Sequence, residues 1–180
     1  SDYSRVVPEG SAVPADKVVN LTGRLDRDGR LDWQVPSGPW LIYRLGMTST
    51  GKYVGPRTNA GVGLEADKMS GDAIRHHFAS FARGLIAENN RQPGDPIYSV
   101  HTDSWESKLH TWSTRFQQEF EKRRGYSMTP WLPMLVSGVL VGSAEESERF
   151  LWDARRTMAD LIADNFYGEM TRLCHENGVQ

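Results

Sequence analysis

One short stretch limits the folds open to this chain. Residues 96–100 form an apolar run bounded by Pro and Gly, and a loop rich in carboxylates follows directly. Short apolar runs with such boundaries are typical of buried β-strands. In a (β/α) barrel, the loop after the carboxyl end of each strand carries the reacting groups. The stretch therefore predicts an α/β fold whose chemistry lies at residues 101–108.

Residues 1–50 are predicted to form a β-rich segment, the end of a β domain. Strand-like patterns occur at 17–22, 31–35 and 40–47, and the sequence Asp-Arg-Asp-Gly at 26–29 is a turn signal between the first two. A meander of this kind is typical of an antiparallel sheet that packs on one face. We therefore expect an antiparallel β-rich segment here.

Residues 51–180 predict alternating strands and helices. Residues 48–63 change to Gly, Thr, Asn and Pro, and a loop of this length tends to be functional. A short strand is predicted at 63–68. The apolar spacing that follows predicts one helix from an N-cap at Ser70 to about Asn89.

The pattern continues with two more helices. One is predicted at 113–124 with Gly125 as its stop, and a long one opens at Ser143 in a capping-box pattern and ends at Gly178. Residues 179–180 would then begin another strand. The expected fold class is α/β: part of a (β/α)8 (TIM-type) barrel after the antiparallel segment, cut from a longer repeating architecture.

Composition excludes several classes of function. The 180 residues carry a formal net charge of -2, which gives no electrostatic basis for binding nucleic acid or an anionic membrane. No apolar run approaches the roughly 18 residues of a membrane helix. Cys174 is the only cysteine, so an intrachain disulfide is impossible. The five histidines lack zinc-site spacing, and His110 and His175 are expected at the surface or at helix ends.

The loop after residue 100 holds the candidate catalytic groups, Asp103 and Glu106, with Trp105 between them. A carboxyl group beside an apolar ring can have its pKa raised by desolvation, as a general acid requires. Glycoside cleavage typically needs two carboxyl groups, and Glu106 could be one of them while Asp103 orients a neighbour, binds a sugar hydroxyl or helps to hold a cation. The alternative is a capped loop with a solvated Glu106.

Aromatic and charged residues nearby are candidates for substrate binding. Trp105 could form the floor of a sugar site or fill core space, and core packing is favoured for Trp112. His101 begins the catalytic loop and could lie in the pocket. The predicted substrate-binding set also includes three charged residues at a predicted strand end, Glu65, Asp67 and Lys68. The alternative is that Lys68 forms a plain salt bridge with Asp67 or Glu65.

Several motifs together resemble glycoside hydrolase family 106, the α-L-rhamnosidases and related enzymes. The motifs are Gly-Leu-Glu-Ala-Asp-Lys-Met at 63–69, Thr-Asp-Ser-Trp-Glu at 102–106, Glu-Phe-Glu-Lys-Arg-Arg-Gly-Tyr at 119–126, Trp-Leu-Pro at 131–133 and Glu-Arg-Phe-Leu-Trp-Asp-Ala-Arg-Arg at 148–156. They keep the family's order and approximate spacing along nearly the whole chain. The resemblance is specific for the family and weak for the substrate.

The resemblance implies the central part of a larger inverting enzyme with a (β/α)8-type barrel, β-sandwich domains and a calcium ion near the active site. Glu106 matches a catalytic carboxylate, the general acid, and Asp103 matches the aspartate of the same motif. The second catalytic carboxylate would follow Gln180, so this piece alone is expected to be inactive. The metal ligands stay unassigned.

The implied partner is a rhamnose-containing glycan or glycoside. The implied location is periplasmic or extracellular, although the chain contains no signal peptide. An alternative from another class is a non-catalytic carbohydrate-binding or scaffold domain on a hydrolase-like fold. A second carboxylate facing Glu106 at roughly 6.5–9.5 Å would favour the inverting enzyme.

Overall fold

The computed structural model describes residues 10–91, 94, 96–103 and 110–180. Its α-helices are α1 Gly71–Ser80, α2 Ala82–Asn89, α3 Phe116–Arg124, α4 Leu132–Ser137, α5 Ala144–Ile162 and α6 Glu169–Glu176, with a π-helix, Ala163–Gly168, between the last two. Short 3-10 turns occur at Ala15–Lys17, Thr22–Arg24, Asn59–Gly61 and Thr129–Trp131. Three isolated β-bridges join Val13 with Val141, Leu25 with Leu31 and Tyr53 with Leu64.

The predicted fold class is wrong for the described residues. They are mainly helical and contain no sheet, so neither the antiparallel β-rich segment nor the partial (β/α)8 barrel is formed. An alternating pattern shows which side chains could be buried, but a strand also needs a hydrogen-bonded neighbour. In the predicted strand at 40–47, Leu41 is 71% and Ile42 56% exposed, so no second layer covers them within the described chain.

The turn predicted at residues 26–29 is confirmed. The Asp26 carboxylate accepts hydrogen bonds from the backbone N–H groups of Asp28 (2.9 Å) and Arg30 (2.8 Å). Gly29 has φ +76°, a backbone conformation that residues other than glycine rarely adopt. The turn brings Leu25 and Leu31 into an antiparallel bridge, although no longer ladder follows.

The helix predicted from Ser70 is confirmed at its start and divided in the middle. The Ser70 side chain accepts a hydrogen bond from the Ala73 N–H, which is the expected N-cap. At Phe81 the backbone leaves the helical region (φ -135°, ψ -68°) and the ring is 65% exposed. In an unbroken helix Phe78 and Leu85 would share one face. The break separates them, so Phe78 is buried and Leu85 is not.

One compact unit combines the described residues up to Gly46 with Gln117–Arg155. Its core is built on Phe150, whose ring centroid lies 5.7 Å from those of Phe120 and Trp131. The fully buried Ser147 hydroxyl both donates to the Val141 carbonyl and accepts from the Val141 N–H, at 2.9 Å each. The start of α5 is thereby tied to the chain segment before it.

The other unit combines Met47–Phe116 with Arg156–Gln180. Phe78, Ile86, Cys174 and Val179 form its buried cluster. Gln180 donates through its N–H to the Tyr98 carbonyl (2.8 Å) and accepts from the Val100 N–H (2.7 Å). This is the hydrogen-bond pattern of a parallel pair. The strand predicted at 96–102 therefore exists only as an extended stretch with this one pairing.

The helix at 113–124 and the stop at Gly125 are confirmed to within a few residues, because α3 ends at Arg124 and Gly125 has φ +81°. The long helix also starts after Ser143, whose hydroxyl accepts from the Glu146 N–H at 3.1 Å. The division into domains at residue 50 stays a prediction. Within the described residues, none of the helices combines the length and apolarity needed to cross a bilayer.

Candidate functional site

A cleft of about 310 Å³ opens in the unit that contains α1 and α6. Three chain segments line it: residues 47–50, residues 64–67, and a third that contributes residues 110 and 112–114. Backbone hydrogen bonds, such as that from the Glu65 N–H to the Lys52 carbonyl, join the first two segments, and side-chain hydrogen bonds join the second to the third. Their centre is Asp67.

The Asp67 carboxylate accepts hydrogen bonds from three donors. Its Oδ1 atom lies 2.9 Å from the backbone nitrogen of Met69 and 3.1 Å from His110 Nε2. Its Oδ2 atom accepts from the Ser113 hydroxyl at 2.7 Å. The hydrogen bond from Met69 closes a tight turn before α1. The hydrogen bonds from His110 and Ser113 join this turn to the third lining segment. Asp67 therefore joins two of the three segments that line the cleft.

The environment of Asp67 keeps it ionised. Partial burial by itself raises the pKa of the carboxyl group, but the hydrogen bonds from His110, Ser113 and the Met69 N–H outweigh burial and lower the pKa below its ordinary value. A carboxyl group that remains ionised at neutral pH is poorly suited to donate a proton. Asp67 is consequently an acceptor of hydrogen bonds at this site.

Lys68 and Glu65 form an ion pair beside the cleft. The Lys68 ammonium lies 2.8 Å from Glu65 Oε2, and both side chains are largely buried. The same ammonium lies 5.7 Å from the centroid of the Phe166 ring, within cation–π range. Phe166 belongs to the π-helix, and its neighbour Asn165 donates to the Met69 carbonyl at 2.8 Å. The π-helix thus supports the turn that carries Asp67 and Lys68.

Apolar side chains contribute the rest of the cleft. Met47 and Leu64 line it together with Trp112. Trp112 is half-buried and packs against Phe116, with ring centroids 4.9 Å apart and tilted by 46°. Its ring therefore takes part in core packing, as favoured from the sequence, while also contributing to the cleft. An indole surface of this kind can pack against the C–H face of a sugar.

The structure brings part of the predicted substrate-binding set together. Glu65 and Asp67 line the cleft. Lys68 forms a salt bridge with Glu65, which was the alternative to substrate binding considered from the sequence. His101 and Asp103 are exposed and are absent from the described lining. Trp105 and Glu106 lie outside the described residues. The site roles of all seven residues stay predictions.

The sequence analysis missed two polar residues of the cleft. His110 was expected at the surface or at a helix end, but its side chain is only 12% exposed, and the expectation is wrong because Asp67 draws the imidazole inward. Ser113 was not singled out, although it is 4% exposed and bonds to the same carboxylate. The loop at 48–63 was predicted to be functional, and its first residues do line the cleft, but that prediction did not point to His110 or Ser113.

The described residues do not fit a calcium site. Calcium takes several oxygen ligands, usually with more than one carboxylate among them. Among the residues that the structure describes, no group of three or more His, Cys, Asp or Glu side chains converges. Asp67 already accepts from three donors, and Glu65 is paired with Lys68. The carboxylates of the cleft are therefore engaged by protein partners, and the rest of the lining includes the apolar side chains Met47, Leu64 and Trp112.

A comparison with models of known families identifies the family of this chain. A family model described as alpha-L-rhamnosidase, glycoside hydrolase family 106, matches residues 2–180. The chain belongs to glycoside hydrolase family 106. The resemblance seen in the sequence motifs is therefore confirmed.

Individual relatives of this family 106 chain carry two different names. A protein of Formosa agariphila, provisionally named a beta-glucuronidase, is 39% identical over 177 residues, which are 98% of this chain and 15% of the relative. A solved structure of a rhamnosidase from Novosphingobium sp. PP1Y matches with a TM-score of 0.76 and 33% identity, over 94% of this chain and 16% of that protein. The chain thus spans about a sixth of either relative.

Proposed function

We propose that the protein carrying this chain is a glycoside hydrolase that cleaves terminal α-L-rhamnosidic bonds. The observation that carries the proposal is the match of the rhamnosidase family model to residues 2–180. The likeness to the Novosphingobium rhamnosidase supports it at 33% identity. Because the chain spans 16% of that structure, the activity of the whole protein is inferred from its family.

The charge of the cleft supports a neutral sugar. Its described lining includes the carboxylates Glu65 and Asp67 and neither Lys nor Arg. The carboxylate of a glucuronide would find no Lys or Arg side chain in this lining to pair with, since Lys68 beside the cleft is already paired with Glu65, and this disfavours its binding. Rhamnose is uncharged, and its methyl group can pack on apolar side chains such as Met47 and Leu64.

Beta-glucuronidase activity is the second candidate, because the Formosa agariphila relative carries that name at 39% identity. The two activities are separated by assaying the purified protein on p-nitrophenyl α-L-rhamnopyranoside and p-nitrophenyl β-D-glucuronide side by side. We expect release of nitrophenol from the rhamnoside. Turnover of the glucuronide alone would replace the rhamnosidase proposal by the second candidate.

For the mechanism, we propose that Glu106 protonates the departing glycosidic oxygen and that Asp103 binds a sugar hydroxyl or orients a neighbouring group. A second carboxylate, supplied by residues outside this chain, would activate water on the opposite face of the sugar and invert the anomeric centre. The support is the match of residues 102–106 to the family motif. The stereochemistry is tested by following the first-formed anomer by NMR.

The role of Glu106 is tested by Glu106→Gln in the active protein. Loss of the general acid is expected to lower kcat by about 10³-fold while the fold and melting temperature stay unchanged. Glu145→Gln, on the exposed face of α5, is the matched control and should keep normal activity. Near-normal activity of Glu106→Gln would contradict the assignment. Sugar binding without hydrolysis by the parent would instead favour the non-catalytic binding domain.

Calcium and location are proposed on the family alone. Since the described residues do not fit the ion, its ligands would come from other residues, and elemental analysis of the purified protein tests for it. We also propose a periplasmic or extracellular location. Cell fractionation with an antibody against the chain tests that proposal.

A further inference from the structure

The contact between Asp67 and His110 sets the proton on the imidazole ring. An ionised carboxylate only accepts hydrogen bonds, so the Nε2 atom 3.1 Å from Asp67 Oδ1 must carry a hydrogen. Nδ1 is then the other polar atom of the ring, and it can accept a hydrogen bond when the ring is neutral. Between described residues, the contact with Asp67 is the one polar contact that the structure shows for the His110 side chain. The ring is only 12% exposed and lines the cleft.

Asp67 itself has little capacity left for a ligand. A carboxylate offers about four acceptor positions. Three of them are used by Met69, His110 and Ser113. About one acceptor position of Asp67 remains, so a sugar hydroxyl bonded there would be a fourth donor to the same carboxylate, whereas a hydroxyl bonded to His110 Nδ1 would share that atom with none of the three donors.

We propose that His110 is the residue of this cleft that contacts the saccharide, and that Asp67 is a positioning residue that holds the imidazole ring in place. A sugar hydroxyl donates to His110 Nδ1, and the sugar ring packs on the Trp112 side of the cleft. In this proposal Asp67 acts on the saccharide through His110, whereas the sequence prediction has Asp67 contact the substrate itself. The inference rests on the proposed function for the class of ligand.

The test uses the protein in its natural form and L-rhamnose as the probe. His110→Gln retains an amide that can still reach Asp67 but has no counterpart of Nδ1. It is expected to raise the Kd for L-rhamnose, measured by isothermal titration calorimetry, by about tenfold. Rhamnoside kinetics should show a similar rise in KM with kcat nearly unchanged, because the contact is made in both ground and transition states.

The matched control is His77→Gln, an identical substitution of an exposed histidine on α1. It should leave the Kd for L-rhamnose and the melting temperature unchanged. Asp67→Asn tests the positioning role, since it keeps an acceptor for Nε2 and should raise KM by less than His110→Gln does. A purely structural Asp67 would change the melting temperature without moving KM.

The outcomes separate the inference from the proposed function. If the parent hydrolyses rhamnosides and His110→Gln leaves both Kd and KM within twofold of the parent, the inference is overturned and the function stands. If the parent binds L-rhamnose through His110 but hydrolyses nothing, the function falls and the inference stands. If L-rhamnose does not bind the parent at all, the inference is overturned as well.

Discussion

Replacing Asp67 by alanine removes the acceptor shared by three donors and should destabilise the protein measurably. The Ser113 hydroxyl and the Met69 backbone N–H belong to buried residues, and each would lose its hydrogen-bond partner. A buried donor left without an acceptor costs about 1–3 kcal/mol. Because water in the open cleft can satisfy part of the loss, we expect Asp67→Ala to lower the free energy of unfolding by about 2–4 kcal/mol.

The matched variant is Asp67→Asn. Its carbonyl oxygen can still accept from Met69 and His110, and the Ser113 hydroxyl can rotate to accept from the amide. The expected loss is about 1 kcal/mol or less. Urea unfolding at neutral pH measures both variants, and a change in midpoint at constant m-value reports the stability difference. Equal losses for the two variants would refute the claim that Asp67 acts by accepting hydrogen bonds.

The stability difference between the parent and Asp67→Asn should depend on pH in a defined direction. The pKa of Asp67 is lowered in the folded protein, so the ionised carboxylate stabilises the fold above the unfolded pKa of about 3.9. This contribution is lost as the pH falls through the lower, folded pKa. The difference in free energy of unfolding between the parent and Asp67→Asn should therefore shrink on acidification below about pH 4. A difference that stays constant or grows would contradict the direction of the shift.

Two further predictions concern the cores of the units. Ser147→Ala leaves the buried N–H and carbonyl of Val141 without a hydrogen-bond partner and should lower the free energy of unfolding in urea by about 2–4 kcal/mol. The exposed N-cap variant Ser143→Ala is the control and should lower it by about 1 kcal/mol. Similar losses for the two variants would argue against the double hydrogen bond of Ser147. Cys174 is 2% exposed, and burial raises the pKa of its thiol. A thiol-reactive disulfide should therefore modify Cys174 at least about tenfold more slowly in the native protein than in urea. Equal rates of modification would contradict the burial of Cys174.

The sequence predicted those features of the fold that depend on neighbours within one or two helical turns. Ser70 and Ser143 were identified as helix caps because a cap bonds to a backbone N–H three residues on. Gly29 and Gly125 were identified as turn and stop residues because only a few residue types accept positive φ. Family membership was also readable, since it rests on the order and spacing of short motifs.

Features that join distant residues were decided by the tertiary structure. The strand patterns could not show whether a partner strand would be present, and the described chain contains isolated bridges in place of the predicted sheet. Part of the candidate site was foreseen, because the carboxylates of Glu65 and Asp67 do line the cleft. His110 and Ser113 were not foreseen. Ser113 lies 46 residues from Asp67, and a hydrogen bond over that separation leaves no local pattern, because it forms only when folding brings the two segments together.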